Sequence, residues 1–564
     1  MATEFRPTGR RRGAARPLLA PMLALAWLLV ALLVRATADA DALVLAPTFP
    51  LELLLLAACA PLLASAAGRA AAAAAAAAVA AAATFRVADA AVAGALGRPI
   101  SLPWDVAHVP NLAGLVADSA GWPAAAAVVA ATAAGTALVL LLTGAAAWTA
   151  VRAARARPWA AALLLALPAL VSLAGPAPIA AGWPAFGAVA PHLRTMAAWY
   201  LDRPAVVAVL RSEQERRAPA LRPGAGTLPK LAGHDVFVVV VESYGAGALA
   251  DPDVAPAARA LRDAAAARAS TLDLASRSGY LQSPTFGGRS WLAHASLLGG
   301  VMLLEEIAYH AFAASGMDDL PALLRRTGHA IAQVSPGLRK VEQPASGLRI
   351  LGADDLAYDG PRFGWFGIPD AYTLGWARDR LRPALGVAPG TRVFAEIVLV
   401  SSHAPYAPAP PALPKGAAWS DAEAWRAAAR AADSFAAPDW SQPQRLYAKA
   451  LAPALGPALD FAVEAAAGGA LVLVVGDHQP PAYTSPHLHG DAVIAHAFAR
   501  DPALLAAFDA LGFRRGTVPQ GDAARAPDMA DVLGAMVAAY GDHAPGGLST
   551  GRPPSETSLP PATH

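Results

Sequence analysis

The sequence predicts an α-helical membrane domain of about five spans, followed by an α/β domain built on a mainly parallel sheet. Three observations carry that reading. Of the 564 residues, 56% are hydrophobic and only 15% are charged, against about 25% charged in an ordinary soluble protein. Long apolar segments crowd the first third of the chain. From His234 onward, short β-branched runs alternate with alanine-rich stretches, as in sheets covered by helices on both faces.

The apolar segments lie at 17–35, 43–66, 70–84, 123–147 and 159–182. Crossing a bilayer takes about 20 apolar residues, and the nearly all-alanine third segment extends toward Ala91 past Arg86 and Asp89. Arg6, Arg10, Arg11, Arg12 and Arg16 hold the N-terminus inside. Arg152, Arg155 and Arg157 follow the fourth segment, and five spans keep them inside as well. A rival reading makes residues 1–39 a cleaved signal peptide, but the apolar stretch is longer than the 7–15 residues or so of a signal core. Either reading delivers the C-terminal domain to the outer, periplasmic side of the cytoplasmic membrane. Residues 85–110, with Pro99, Pro103 and Pro110, read as an outer loop or re-entrant segment, or as a plain connector.

Domain limits follow from these changes of pattern: 1–185 transmembrane, 186–232 a juxtamembrane linker, 233–543 catalytic, and 544–564 a disordered tail rich in Pro, Ser, Thr and Gly. Trp199, Tyr200 and Leu201 near several arginines fit a helix lying at the interface. The net charge of +2, with no basic run interleaved with aromatics, argues against a nucleic-acid partner. Cys59 is the single cysteine, so the chain has no intrachain disulfide and no thiolate zinc site.

Within the catalytic half, DVFVVVVES ends at Glu242, RVFAEIVLVSSH near His403, and ALVLVVGDH at Asp477 and His478; HAIAQVSP around 329–336 is a fourth strand. Ligands of such sheets bind beyond the carboxyl ends of the strands, and three of these ends carry metal-competent side chains. Between them lies QSPTFGGRSWLAHASLLGG, residues 282–300, a glycine turn that becomes an apolar helix at Ser290. A serine there either caps the helix or serves as a nucleophile beside N–H groups and a dipole that favour anions. Carboxylate and imidazole ligands suit zinc or manganese, with magnesium a further option. Such an ion activates a serine oxygen, and Arg289 with the ion would neutralise charge on the transferred group. Thr285, before Gly287 and Gly288, is the alternative nucleophile.

VVVVESYG, GGRSWLAHASLLGG, VSSHAPY and VVGDHQP resemble the motifs of the alkaline phosphatase superfamily's sulfatase branch, in particular lipoteichoic acid synthase and related membrane phosphoglycerol transferases. The resemblance implies an alkaline-phosphatase/sulfatase-like catalytic domain joined to five spans. It implies a metal held by Glu242, Ser290, Asp477 and His478, with Ser290 as nucleophile and His403 binding substrate. The relatives usually carry threonine where Ser290 stands. Sulfatases proper place Pro or Ala two residues after the converted residue and Arg four after it. Leu292 and His294 occupy those places, which favours phosphate chemistry over sulfate esters.

Other residues carry two readings each. His294 either touches the leaving group or packs in the core. His487 and His489, in SPHLHG, sit on a loop that can reach the site. Trp365 and Asp370, in GPRFGWFGIPDAYTL, line a pocket for a polyol head group, although packing is the ordinary role of a tryptophan. His192, His310, His329 and His543 read as structural. The expected activity is transfer of a phosphoglycerol-type group from a membrane lipid donor to an envelope glycan or lipid acceptor. The alternatives are a sulfatase-like hydrolase, acting as phosphodiesterase or sulfuric ester hydrolase, and an inactive envelope-binding module. Reporter fusions at residue 155 and after residue 230 should report opposite sides of the membrane; the same side for both would overturn the five-span topology.

Overall fold

The computed structural model describes the chain apart from residues 1–15, 37–42, 97–99, most of 101–120, 158–179, 202, 339–347, 415, 433–438, 482, 485–489 and 543–564. It divides into two compact units, one holding most residues up to Met196 and the other running from Ala197.

Alanine and leucine, with little to break a helix, make the first unit helical. Helix α1 is Arg16–Leu33, α2 is Ala66–Leu96 and α3 is Trp122–Ala156. At 35 residues, α3 is about 50 Å long, ample for a hydrocarbon core of about 30 Å. Leu138, Leu140, Leu141 and Leu142 on it are exposed, apolar surface suited to lipid. Both α2 and α3 are long and apolar enough to cross a membrane. Helix α2 runs through Arg86 and Asp89, so the first part of the expected 85–110 loop is helix, and most of the remainder lies outside the described residues.

The second apolar segment departs from expectation. Residues 43–66 do not form one helix but short strands at Leu43–Leu45 and Thr48–Pro50, the eight-residue helix Leu51–Ala58, and a tight turn at Pro61–Ala64. Pro50 and Pro61 lack the N–H that a continuous helix needs. Glu52 is buried there, and its Oε1 accepts the N–H groups of Ala185 and Phe186 at 2.9 and 3.1 Å, which start the helix Pro184–Leu201. The fifth segment, 159–182, lies almost wholly outside the described residues, as do the side chains of Trp199, Tyr200 and Leu201.

In the second unit eight strands form one mixed sheet. In chain order they are β1 Val236–Val241, β2 Ala275–Gln282, β3 Ala330–Val334, β4 Arg349–Leu351, β5 Val393–Val398, β6 Leu471–Gly476, β7 Ala492–Ala499 and β8 Arg514–Arg515. Their order across the sheet is β8-β2-β7-β6-β1-β5-β3-β4. Strands β6, β1, β5, β3 and β4 run parallel, and β7, β2 and β8 continue antiparallel. All six residues of β1 are buried: Phe237, Val239 and Val241 face one core, and Val236, Val238 and Val240 the other. A strand buried on both faces needs this unbroken valine run. Pro443–Ala467, the longest helix of this unit, is apolar enough for a span but packs Leu451, Leu455, Leu459 and Phe461 into the first of these cores.

Much of the expected juxtamembrane linker, 186–232, is helical. Residues Arg203–Arg217 form helix α4, which belongs to the second unit. The buried Gln214 amide donates to the carbonyls of Gly299 and Asp318 at 2.6 and 2.7 Å. Arg217 pairs with Glu213, Asp528 and Asp531, and Glu213 accepts the N–H of Met302. These polar residues are therefore spent on the second unit, Gln214 on the end of the helix that begins at Ser290 and Arg217 on Asp528 and Asp531. Gln214→Ala leaves two buried carbonyls unpaired and should lower stability by about 1–3 kcal/mol, read from the shift in thermal unfolding of the full chain.

Candidate active site

Strands β6, β1 and β5 are neighbours, so the residues that follow them meet at one edge of the sheet. Glu242 follows β1, Asp477 and His478 follow β6, and the His403 turn follows β5. Ligand atoms of Glu242, Asp477 and His478 all lie within 4.8 Å of one another, and these residues are 6%, 1% and 1% exposed. The approach depends on a glycine: a Cβ on Gly476 would sit 2.1 Å from the Tyr244 carbonyl oxygen.

Each ligand is aimed by its neighbours. Asp477 Oδ1 accepts the N–H groups of Ser243 and His478 at 2.7 and 2.8 Å, leaving Oδ2 at 3.5 Å from His478 Nε2. His478 Nδ1 donates to the Gln479 carbonyl at 2.6 Å, which sets the tautomer with its lone pair on Nε2. Glu242 Oε1 accepts from Ser243 Oγ at 2.9 Å and lies 3.3 Å from His478 Nε2. Behind these, Ser402 donates to the Glu242 carbonyl, Tyr447 to that of Ser243 and Ser283 to that of Asp477. These supporting residues carry no distinctive sequence signal; only their nearness to the strand ends marks Ser243, Ser402 and Gln479.

Ser290 opens helix α5, Ser290–Gly299, directly after Gly287, Gly288 and Arg289, all at positive φ. Its Oγ donates to Glu242 Oε2 at 3.3 Å and lies 3.2 Å from His478 Nε2. The residue preceding the helix is Arg289 in the left-handed region, with no side-chain cap. Ser290 therefore does not act as an ordinary cap; its hydroxyl faces the acid–histidine cluster. Thr285 is buried and donates to the Gly288 carbonyl at 2.5 Å, so its hydroxyl holds the glycine turn.

Electrostatics follow from crowding two carboxylates out of water. Burial pushes Glu242 up, but His403 and His478 outweigh it and hold the carboxyl well below its usual range. Burial and then the Glu242 charge push Asp477 up. Burial lowers His478, yet Asp477 and Glu242 raise it to about 9. A buried pair of carboxylates with an imidazole and a hydroxyl fits a divalent ion, which would offset their repulsion.

The remaining expected residues divide. His403 Nδ1 lies 2.5 Å from the Ala404 carbonyl, and its ring stands edge-on to Phe366 at 5.0 Å and 6.5 Å from Trp365. Trp365 is thus brought beside His403. Asp370 is not open to a ligand: fully buried, it accepts the N–H groups of Val400 and Ser401, and burial pushes its carboxyl up to about 7. It positions the turn that carries His403. The Nη1 of Arg289 is directed at the Leu304 carbonyl, 3.5 Å away. His294 is paired with Glu396 at 3.0 Å, a residue that strand reasoning treats as an interior position. His487 and His489 lie outside the described residues.

Comparison with protein-family models and with curated proteins gives no match. The solved structures that are similar include the following three. The lipoteichoic acid synthase LtaP from Listeria monocytogenes is 13% identical, over 48% of this chain and 66% of that one, just under two thirds, with a TM-score of 0.33. A protein in the alkaline phosphatase superfamily from Vibrio parahaemolyticus is 14% identical, over 52% and 69%, at 0.31. The C-terminal periplasmic domain of EcEptC from Escherichia coli, in complex with Zn, is 10% identical, over 55% and 82%, at 0.33. At such scores the likeness bears no weight on chemistry, which rests on the residues of the site.

The raised pKa of His478 makes a prediction for metal-free protein. A folded state that binds the imidazole proton more tightly than the unfolded chain gains stability below about pH 6.5 and loses it as pH rises toward about 9. Thermal unfolding without metal should show a loss of up to about 3 kcal/mol across that window. Saturating Mn²⁺ should abolish the loss, since an ion held by this cluster would take the place of the proton on Nε2, and His478→Gln should flatten the metal-free profile.

Proposed function

We propose that this chain is a membrane-anchored, metal-dependent phosphotransferase that moves a phosphoglycerol-type group from a membrane lipid to an envelope glycan or lipid acceptor. One observation carries the reading: a serine hydroxyl at the start of a helix lies 3.2 Å from His478 Nε2 and 3.3 Å from Glu242 Oε2, inside a buried cluster of metal-competent groups. Glu242, Asp477, His478 and Ser290 would hold the ion. Their mixed oxygen and imidazole donors favour zinc or manganese over magnesium. When bound, the ion would acidify the serine hydroxyl and offset charge on the phosphoryl oxygens.

The residues of the chain supply the rest. Glu242 holds the Ser290 hydroxyl in the attacking position. The N–H groups of the first turn of α5 point at the place where anionic oxygens would sit. Ser290 Oγ attacks phosphorus, the bond to the diacylglycerol oxygen breaks, and the transferred group stays on Ser290. With Nδ1 against the Ala404 carbonyl, His403 presents Nε2, which gives a proton to the leaving oxygen and takes one from the acceptor hydroxyl. The acceptor then displaces Ser290. Trp365 beside His403 forms one wall for the head group. The catalytic unit stands on the outer side of the cytoplasmic membrane, where lipid donors and envelope acceptors are both present.

Labelled phosphatidylglycerol should yield diacylglycerol and a labelled acceptor; free glycerol phosphate as sole product would mean that water is the acceptor. Ser290→Ala should reduce turnover by at least about 10³-fold while retaining most metal, whereas Asp477→Ala should lose metal and activity together. Mass spectrometry after incubation with donor alone should find the added mass on the peptide containing Ser290, and an adduct on Thr285 would refute the assignment.

A further inference from the structure

The reaction just described leaves one proton without a holder. In the structure the Ser290 hydroxyl donates to Glu242, but Glu242, Asp477 and His478 would be poor holders of a full proton with an ion's charge upon them. The hydroxyl proton then needs another acceptor within the site.

His294 lies one helical turn after Ser290 on α5. Side chains on a helix lean toward its N-terminus, so the imidazole leans back over the turn that carries Ser290. Nδ1 meets Glu396 Oε1 at 3.0 Å, a close ion-pair contact. The other carboxylate oxygen, Oε2, accepts from the Gln333 amide at 2.7 Å. Gln333 on β3 and Glu396 on β5 are register partners, on the sheet face whose neighbouring inward residues are Ile331 and Phe394. A carboxylate 2% exposed on such a face costs stability unless its partners justify it. Oε1 is 3.0 Å from Nδ1 without the alignment of a hydrogen bond, but its charge favours the proton on Nδ1, the nearer nitrogen, and so leaves the lone pair on Nε2. That atom is buried and has no hydrogen-bond partner among the described residues.

We propose that His294, aligned by Glu396 and Gln333, holds the Ser290 proton during the reaction, an inference that rests on Ser290 being the nucleophile. As Oγ attacks, the O–H bond breaks and Nε2 takes the proton, directly or through one water. The Oγ–phosphorus bond forms and the bond to the leaving oxygen breaks, that oxygen taking its proton from His403. In the second displacement the acceptor oxygen bonds to phosphorus and passes its proton to His403. The Oγ–phosphorus bond breaks, and Nε2 returns its proton to Oγ. Protons and electron pairs balance over the cycle. Glu396 from β5, Asp477 after β6 and Glu242 after β1 all act on His294; burial lowers its pKa, and these three charges outweigh burial and raise it. Tyr309 faces Glu396 from the helix Glu306–Ala313.

The test uses the full chain in detergent, loaded with Mn²⁺, and bis(p-nitrophenyl) phosphate, whose leaving group needs no proton. The nitrophenolate burst then reports the first displacement alone. His294→Asn keeps an N–H toward Glu396 and deletes Nε2; the burst should slow on the order of 10²-fold, with Mn²⁺ affinity unchanged by calorimetry. In the wild type the burst should fall on the acid side as Nε2 becomes occupied. Glu396→Gln, which removes a charge that raises His294, should move that limb to lower pH, a shift that a purely structural role would not produce. Nitrogen NMR of labelled histidine in metal-free protein should show one imidazole that titrates lower in Glu396→Gln and is missing in His294→Asn. A wild-type burst rate in His294→Asn, or an unmoved acid limb in Glu396→Gln, overturns the inference and leaves Ser290 in place. A wild type that forms no adduct, or a burst retained in Ser290→Ala, overturns the nucleophile assignment instead.

Discussion

Two carboxylates buried against each other at the ends of adjacent strands are the constraint on which the rest of the second unit depends. Glu242 and Asp477 are both removed from water, and each raises the cost of ionising the other. The fold answers with donors: two backbone N–H groups on Asp477 Oδ1, a serine hydroxyl on Glu242 Oε1, and a histidine between them. Stability alone would favour an apolar edge there. Two acids and an imidazole kept in one buried space form a cluster with the donor set for a cation.

Backbone strain sits where that arrangement needs it. Ser243 and Arg289, neither of them glycine, occupy the left-handed region, at a cost of order 1–3 kcal/mol each. Ser243 in this conformation presents its N–H to Asp477 and its hydroxyl to Glu242 at once. Arg289 in this conformation lets the chain enter α5 with Ser290 Oγ already turned to the cluster. A hydrogen bond from Gln214 of α4 to the Gly299 carbonyl holds the far end of α5.

What was legible in the sequence, and what was not, follows from local against non-local information. The valine runs of β1, β5 and β6 announce buried strands by composition, and the residues after them are named by position alone. That the three strands are neighbours depends on crossovers that no local pattern encodes. Strand β2, reading ASRSGYLQ, and β7, reading AVIAHAFA, lack the β-branched runs that mark a strand and are held by pairing with each other and with β6. Residues 43–66 are apolar enough for a span, but three prolines and a buried glutamate divide them. Asp370 reads like a ligand because it is an acid after a glycine-rich loop. Its partners are backbone N–H groups about thirty residues on in the chain, which periodicity does not reach.

The cluster is assembled from distant parts of one polypeptide: Ser290 and His478 are 188 residues apart, and Ser243 and Asp477 are 234 apart. During synthesis, most of the chain must therefore emerge before any ion can find more than a fragment of its binding site. On the proposed reading, loading would be a late event in biogenesis, in whichever compartment β6 docks beside β1. The metal content of the finished protein would then reflect the ionic composition of that compartment as well as the intrinsic preference of the residues that hold the ion.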